Sequence, residues 1–339
     1  MQKESWWIDK RGQIDGLSKR YDEFNSQLAP NEIEVEVKAI GLNYADVFCV
    51  LGLYAAAPKE NFVPGLEYSG VVKNAGKDVK RFKVGDRIMG CTRFGAFSSK
   101  LVIDEDYCQL IPDDWSFEEG AAFTVQALTA WYALVELGRV QKGENVIVQS
   151  AAGGVGLHSM HFAKVLGANP IATVRSEKKK NFLKDLGYSE CIVRSDNFGE
   201  QVTKQLNKRP LNLALDAIGG VTQKALFDRL AQRGRLVIFG LASFTPSGNK
   251  FSKWKAFLPY LRRPKYDPFE MIPGNRSVLC FNIIFLYQEK KLMRSLFDQM
   301  CQHELYRPHV GKTFPFNQTV EALRFLKTGQ NIGKVVLKL

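Results

Sequence analysis

The chain has 339 residues, 45% of them apolar and 24% charged, with 47 Lys and Arg against 35 Asp and Glu. That length points to two domains and a large core, and the composition excludes a disordered or fibrous chain. The net charge of +12 favours anionic partners such as phosphorylated cofactors, anionic lipid or nucleic acid, but no zinc finger, aromatic RNA-binding motif or basic repeat argues for nucleic acid.

From the N-terminus, Met1 to Trp7 lacks the apolar core of a signal peptide. The first third reads as β-rich. Ile33-Glu34-Val35-Glu36-Val37-Lys38-Ala39 alternates apolar and charged residues, Tyr68 to Val72 is a second strand, and Val84-Gly85-Asp86-Arg87-Ile88-Met89 is a turn entering another. Short strands punctuated by Gly and Asp predict a partly open β-barrel. Near residue 120 the pattern changes to helical spacing, Gly120 to Leu137. Asn145 to Gln149 is a buried strand, and a helix runs from about Gly156 to Leu166. The alternation continues with a strand at Pro170–Val174, a helix at Glu177–Leu186 and strands at Cys191–Val193, Leu213–Asp216 and Arg235–Gly240. Strands alternating with helices imply a doubly wound parallel sheet, so the fold class is α/β. The longest strongly apolar stretch, near Ser277 to Tyr287, is far short of the ~20 residues that span a bilayer. Helices at Glu289–Glu304 and Thr319–Thr328 and a strand at Gly333–Leu337 close the chain. Six cysteines without a C-x-x-C pair read as separate thiols. The expectation is a soluble cytoplasmic protein.

Between the buried strand and its helix lies Ser150-Ala151-Ala152-Gly153-Gly154-Val155-Gly156. Strand, glycine turn, helix is the context that a dinucleotide fingerprint requires. Ala151, Gly153 and Gly156 stand at its three positions. Gly153, Gly154 and Val155 bring the backbone to a pyrophosphate, and Gly156 lets the helix approach the strand, while the helix N-terminus offers free N–H groups and a partial positive charge. After the second strand an NAD site usually carries an acid for the ribose 2′-hydroxyl. Here the chain reads Arg175-Ser176-Glu177-Lys178-Lys179, with Arg194 after the third strand. Arg175, Ser176, Lys179 and Arg194 suit a 2′-phosphate, which predicts NADPH.

Gly41-Leu42-Asn43-Tyr44-Ala45-Asp46, Pro64-Gly65-Leu66-Glu67-Tyr68-Ser69-Gly70, Val84-Gly85-Asp86-Arg87 and the glycine turn come in an order that resembles the medium-chain dehydrogenase/reductase superfamily. The resemblance covers nearly the whole chain. It implies a GroES-like catalytic domain, residues 1–124 and 290–339, split around a Rossmann domain, residues 125–289, with the cofactor in the cleft between them and a homodimer as the common assembly. In the zinc-dependent members a Cys and a His are ligands where this chain has Asn43 and Leu66, and a third ligand position falls near Val125. The four-cysteine structural lobe is also missing. Catalytic zinc needs about three protein ligands, so no metal is expected. The zinc-free pattern is similar to the quinone oxidoreductase branch and, through Val237 to Ala242, Asp267 to Ile272 and Asn275 to Asn282, to its vesicle-amine-transport-protein-like group.

The resemblance implies that Asn43 lies beside the nicotinamide or the substrate carbonyl, that Tyr54 sits at the cleft and donates a hydrogen bond or proton, and that Thr129 faces the cofactor. Phe239, Gly240, Leu241, Phe281 and Asn282 line the nicotinamide pocket, and Lys334, at the start of the closing strand, counts among the cofactor residues. Each has a plainer alternative: Asn43 caps a turn, Tyr54 packs at the cleft mouth, Thr129 bonds back within its helix, Asp46 fixes local backbone, and His158 and His161 pack rather than bind a ligand. Residues 249–267 hold a run of Lys and Arg around Trp254, Phe257, Leu258 and Leu261 at helical spacing. That segment is either a helix covering the cleft or a dimer interface, or a basic surface for anionic membrane. The expected activity is NADPH-dependent, zinc-independent reduction of a small electrophile, a quinone or an α,β-unsaturated carbonyl. The alternatives are an NADP(H)-binding membrane-associated or regulatory protein with little turnover, and an enoyl-thioester reductase.

Overall fold

The computed structural model describes residues 2–245 and 263–339. The apolar and basic positions read between residues 249 and 262 lie outside the described residues.

Strands β1 (Gln2–Ile8) and β2 (Leu17–Glu23) form an antiparallel hairpin. It is pinned to the far end of the chain by the Trp6 indole, whose N–H donates to the Phe316 carbonyl at 2.9 Å. Next come β3 (Glu32–Leu42), helix α1 (Tyr44–Val50), β4 (Glu67–Ala75), β5 (Arg87–Cys91), β6 (Lys100–Asp104) and β7 (Cys108–Leu110). In β3, Ile33, Val35 and Val37 are buried while Glu36 and Lys38 pair at the surface, which is the two-residue period of a half-wet strand.

The expected helix at Gly120–Leu137 resolves into α2 (Phe117–Gly120), α3 (Thr124–Trp131) and a wider π-helical turn, Tyr132–Leu137. Every residue of α3 is buried. Then β8 (Asn145–Gln149), α4 (Gly154–Val165), β9 (Asn169–Val174), α5 (Glu177–Asp185), β10 (Cys191–Val193), α6 (Phe198–Leu206), β11 (Leu211–Asp216), α7 (Gly220–Phe227), β12 (Leu230–Ile238) and β13 (Ser277–Cys280) build a six-stranded parallel sheet in the order β10-β9-β8-β11-β12-β13. The order reverses at β8, the switch point where a doubly wound sheet opens a crevice for ligand. The apolar stretch Ser277–Tyr287 divides between β13 and a 3-10 turn, Ile283–Gln288.

The last strands, β14 (Val310–Pro315) and β15 (Lys334–Lys338), return to the first sheet. Its order is β14-β15-β3-β4-β5-β7, with β6 also on β3. This sheet is therefore assembled from both ends of the chain, with the parallel sheet between them in sequence. The seam between them is apolar: Phe123, Leu128 and Trp131 pack with Leu157, Met160 and Phe162 of α4 in one buried cluster, and Trp131 meets Phe162 edge to face at 5.3 Å.

His158 lies inside this seam, between Phe123 at 5.3 Å and Tyr306 at 5.4 Å, while the His161 ring bonds the Glu304 carbonyl at 2.7 Å. The two rings serve packing. Burial holds His158 at about 3, far below the ordinary histidine value. The unfolded chain takes up its proton near pH ~6.5, so stability that is complete above that pH is lost as the pH falls toward 3. His158→Phe is expected to flatten the fall of the urea midpoint between pH 7 and pH 4; parallel pH profiles would count against this account. All six cysteines carry free thiols, with Cys280 and Cys301 at the surface.

Candidate active site

The glycine turn sits at the C-terminal end of β8. Ser150 takes a left-handed conformation at φ 55°, and Gly153 caps α4 with extended backbone. Gly156 is required by contact: a Cβ there would stand 2.4 Å from the Ser150 carbonyl oxygen and 2.6 Å from Ala151 Cα. At Gly153 the added atom would meet only the Ser150 carbonyl, at 3.3 Å. The turn thus packs tightly behind and stays open in front, the shape of a cradle for a phosphate. At Gly154 a Cβ would fall 2.5 Å from Gln126 Oε1. The Gly333 N–H donates to the Ala152 carbonyl at 2.8 Å, bridging the turn to the start of β15.

Beyond β9 the cations converge. Ser176 caps α5, and its Oγ accepts from the Lys179 N–H at 3.5 Å. Lys179 Nζ donates to the Gly329 carbonyl at 2.8 Å and Arg175 to the Thr328 carbonyl at 2.7 Å. Both oxygens lie at the C-terminal end of the helix Thr319–Thr328, the negative pole of its dipole. Arg194 donates to Gln149 at 3.1 Å. Burial and the charges of Arg175 and Arg194 bring Lys179 down to about 8, and burial with Arg175 brings Arg194 down to about 10. The three cations repel one another, and Lys179 and Arg194 are partly stripped of water while Arg175 stays exposed; an arriving anion relieves the repulsion. The nearby acid, Glu177, keeps 69% of its side chain exposed.

On the other side of the turn is a buried polar cluster from four elements. Asn43 precedes α1, its N–H donating to Asp46 Oδ2 at 2.7 Å, so it caps the helix as well. Its carboxamide Nδ2 donates to Glu67 at 3.0 Å and, more weakly, to the Gly41 carbonyl at 3.3 Å. Its Oδ1 accepts from Gln126 and, at 3.0 Å, from Lys334 Nζ. Lys334 and Glu67 form an ion pair with side chains only 4% and 0% exposed. The Val125 N–H closes the cluster on the other Glu67 oxygen at 2.9 Å. Asp46 is fully buried, and burial raises its carboxyl to about 7. Gln126 is the participant that sequence reasoning missed; its one signal is a lone amide in a fully buried, uncharged helix.

Across the cleft, the Tyr54 hydroxyl donates to Asn282 Oδ1 at 3.0 Å, and burial raises its pKa. Phe281 stacks obliquely on Tyr132 at 4.9 Å and lies 5.8 Å from Phe239. Gly240 passes close to Ala217, and Leu241 is exposed. Thr129 is turned to its own helix: its hydroxyl donates to the Val125 carbonyl at 2.6 Å.

Residues 29–113 match the alcohol dehydrogenase GroES-like domain, and residues 154–262 match the zinc-binding dehydrogenase family. The chain is a medium-chain dehydrogenase/reductase. Its relatives in this oxidoreductase family include the synaptic vesicle membrane protein VAT-1 homolog of Danio rerio, 29% identical over 96% of this chain and 68% of the relative. Among solved structures, the Escherichia coli quinone oxidoreductase complexed with NADPH superposes with a TM-score of 0.81 at 25% identity, covering 100% of this chain and 99% of that one. The CurK enoyl reductase does so at 0.82 and 28%, with the same coverage. Among the described residues no helix is long and apolar enough to cross a membrane.

The second family's description names zinc, but the donor set of this member does not fit it. Asn43 and Leu66 stand where the resemblance implies a Cys and a His ligand, the third such position falls near Val125, the neighbouring carboxylate of Glu67 is already bonded by an ammonium and an amide, and the described residues hold no group of three His, Cys, Asp or Glu that could bind a metal.

Proposed function

We propose that the chain is an NADPH-dependent, zinc-independent reductase of quinones or α,β-unsaturated carbonyls. The observation that carries the reading is the open glycine cradle flanked by three converging cations, Arg175, Lys179 and Arg194. The cradle and the α4 N-terminus hold a pyrophosphate, and Arg175, Ser176 and Lys179 follow the strand after which this fold reads the ribose. Bound NADPH supplies hydride. Phe239, Phe281 and Tyr132 wall the reaction off from water. Tyr54, poised by Asn282, protonates or hydrogen-bonds the reduced acceptor. The likeness to a quinone oxidoreductase complexed with NADPH supports the same reading. The test is titration of the chain with NADPH followed by NADPH oxidation assays with quinones and enones. No binding, or binding without turnover, sinks it.

Two predictions belong to this reading. The protonated form of Lys179 is the one that attracts phosphate, and it is lost above about pH 8. Affinity for NADPH is therefore expected to fall as the pH rises from 7 to 9 while affinity for NADH stays level; calorimetric titrations at the two pH values check it, and parallel behaviour of the two cofactors refutes it. Tyr54→Phe is expected to lower kcat for an enone by about tenfold to a hundredfold, since an enolate needs a proton. A 1,4-quinone, whose reduced oxygens protonate from water, is spared. Equal losses on both acceptors would assign Tyr54 to packing.

A second reading has its own support. The likeness to an enoyl reductase, together with a tyrosine able to protonate an enolate, favours a thioester-activated alkene as the acceptor. Turnover of a crotonyl thioester faster than of any quinone would select it.

A further inference from the structure

The geometry points to Lys334 as a positioning residue: its ammonium polarises the Asn43 carboxamide, and the Asn43 N–H stabilises the negative charge that forms on the oxygen of the hydride acceptor. The inference rests on the reductase reading above and adds the source of its electrostatic stabilisation.

A buried ion pair is poor evidence for stability, because desolvating both charges offsets most of their attraction. The Lys334–Glu67 pair needs another reason to exist, and its neighbours supply one. Lys334 and Gln126 both donate to Asn43 Oδ1, which draws electron density from the amide nitrogen and strengthens its N–H donors. One of those donors is held firmly by Glu67 at 3.0 Å, but the other reaches the Gly41 carbonyl only at 3.3 Å, longer than the usual ~2.9–3.0 Å. That weakly held N–H is the one the cluster can turn to a ligand. The cluster also adjoins the cradle: Gln126 packs on Gly154, and the residue before Lys334 bonds the Ala152 carbonyl.

The chemistry balances within the reading. Hydride from NADPH forms the new C–H bond, the acceptor's π electrons move onto its oxygen, and NADP+ is left. That oxyanion is what a preorganised, desolvated donor stabilises. Glu67 neutralises Lys334 and holds the ammonium against Asn43, and it shields the bound cofactor from a free cation. Lys334 acts through Asn43 and touches neither cofactor nor acceptor.

Lys334→Met leaves the Glu67 carboxylate buried without its partner, so the decisive variant is Glu67→Gln/Lys334→Met, which removes both charges together. Its fold is checked by circular dichroism and thermal melting. It is expected to bind NADPH within about twofold of wild type and to reduce cyclohex-2-enone with kcat lowered about tenfold to a hundredfold, below the loss for a direct oxyanion donor. The loss on 1,4-benzoquinone, a readier acceptor, is expected to be smaller. Asn43→Ala is expected to cost at least as much, and Glu67→Gln/Lys334→Met added to it to lower kcat no further, as in a coupled cycle. A folded double variant with unchanged kcat, a loss confined to NADPH affinity, equal losses on both acceptors, or additive losses with Asn43→Ala would each overturn the assignment. A wild-type chain that binds no NADPH, or reduces neither acceptor, overturns the reductase reading itself and this assignment with it.

Discussion

Gly156→Ala is expected to leave a folded chain that binds NADPH at least ~30-fold more weakly and melts several degrees lower. The added methyl would overlap the Ser150 carbonyl oxygen and the Ala151 backbone, at 2.4 and 2.6 Å. Neither can yield independently. Ser150 is held in a left-handed conformation, and Ala151 is fully buried with its N–H on the Thr173 carbonyl at 3.1 Å. Relief has to come from displacing the first turn of α4 away from β8. Overpacking of this kind costs about 1–3 kcal/mol, and it moves the N–H groups that address the phosphates, so binding suffers more than folding. Calorimetric titration and a thermal melt separate the two effects. Binding within threefold of wild type would remove the turn from the cofactor site. Gly153→Ala, where an added Cβ meets a single atom at 3.3 Å, is the milder comparison and is expected to spare the fold.

Five strands of the parallel sheet were legible because each is a short apolar run followed by a turn signal, and the strand-turn-helix context of Gly153 and Gly156 is local; β13 was not, because Ser277–Cys280 runs on into an apolar stretch without a turn signal. The first hairpin was not. Gln2 to Ile8 lacks clean alternation, since Ser5 and Trp6 are both buried, and its partner strand buries little beyond Leu17. Within the site, Asn43 was read both as a cleft residue and as the cap of a turn, and its backbone caps α1 while its side chain belongs to the buried cluster. Glu67 reads only as one residue of the Pro64–Gly70 motif. Its cation is 267 residues away, and no periodicity connects β4 to the start of β15. Lys334 likewise meets its partners, Glu67 and Asn43, only through the fold. The cation cluster was half legible: Arg175 and Lys179 follow β9 visibly, but the helix end that holds them, Thr328 and Gly329, comes from the opposite end of the chain. Residues that act across the seam are the ones a linear reading loses.

That helix end shapes the second large effect, the exchange of cofactor preference in Arg175→Ala/Lys179→Ala. Each cation offers a phosphate a charge-assisted hydrogen bond, worth roughly 1.5–3 kcal/mol and nearest the lower bound at the exposed Arg175. In the free chain each already donates to a carbonyl at the C-terminal end of the helix Thr319–Thr328. Binding a 2′-phosphate therefore exchanges one partner for a better one, and the net gain per residue falls toward the lower bound. Two such gains sum to about 3 kcal/mol, roughly a 150-fold loss of NADPH affinity in the double variant. Arg194 stays in place, so binding weakens without vanishing. NADH carries no 2′-phosphate and is expected to bind the variant as it binds wild type, which brings the two cofactors close to parity. The ratio of kcat/KM for NADPH to that for NADH, measured with one saturating acceptor, reads the change directly. An equal loss with both cofactors would mean that Arg175 and Lys179 hold the helix end for structure alone, and the phosphate would then have to be sought elsewhere along the cleft.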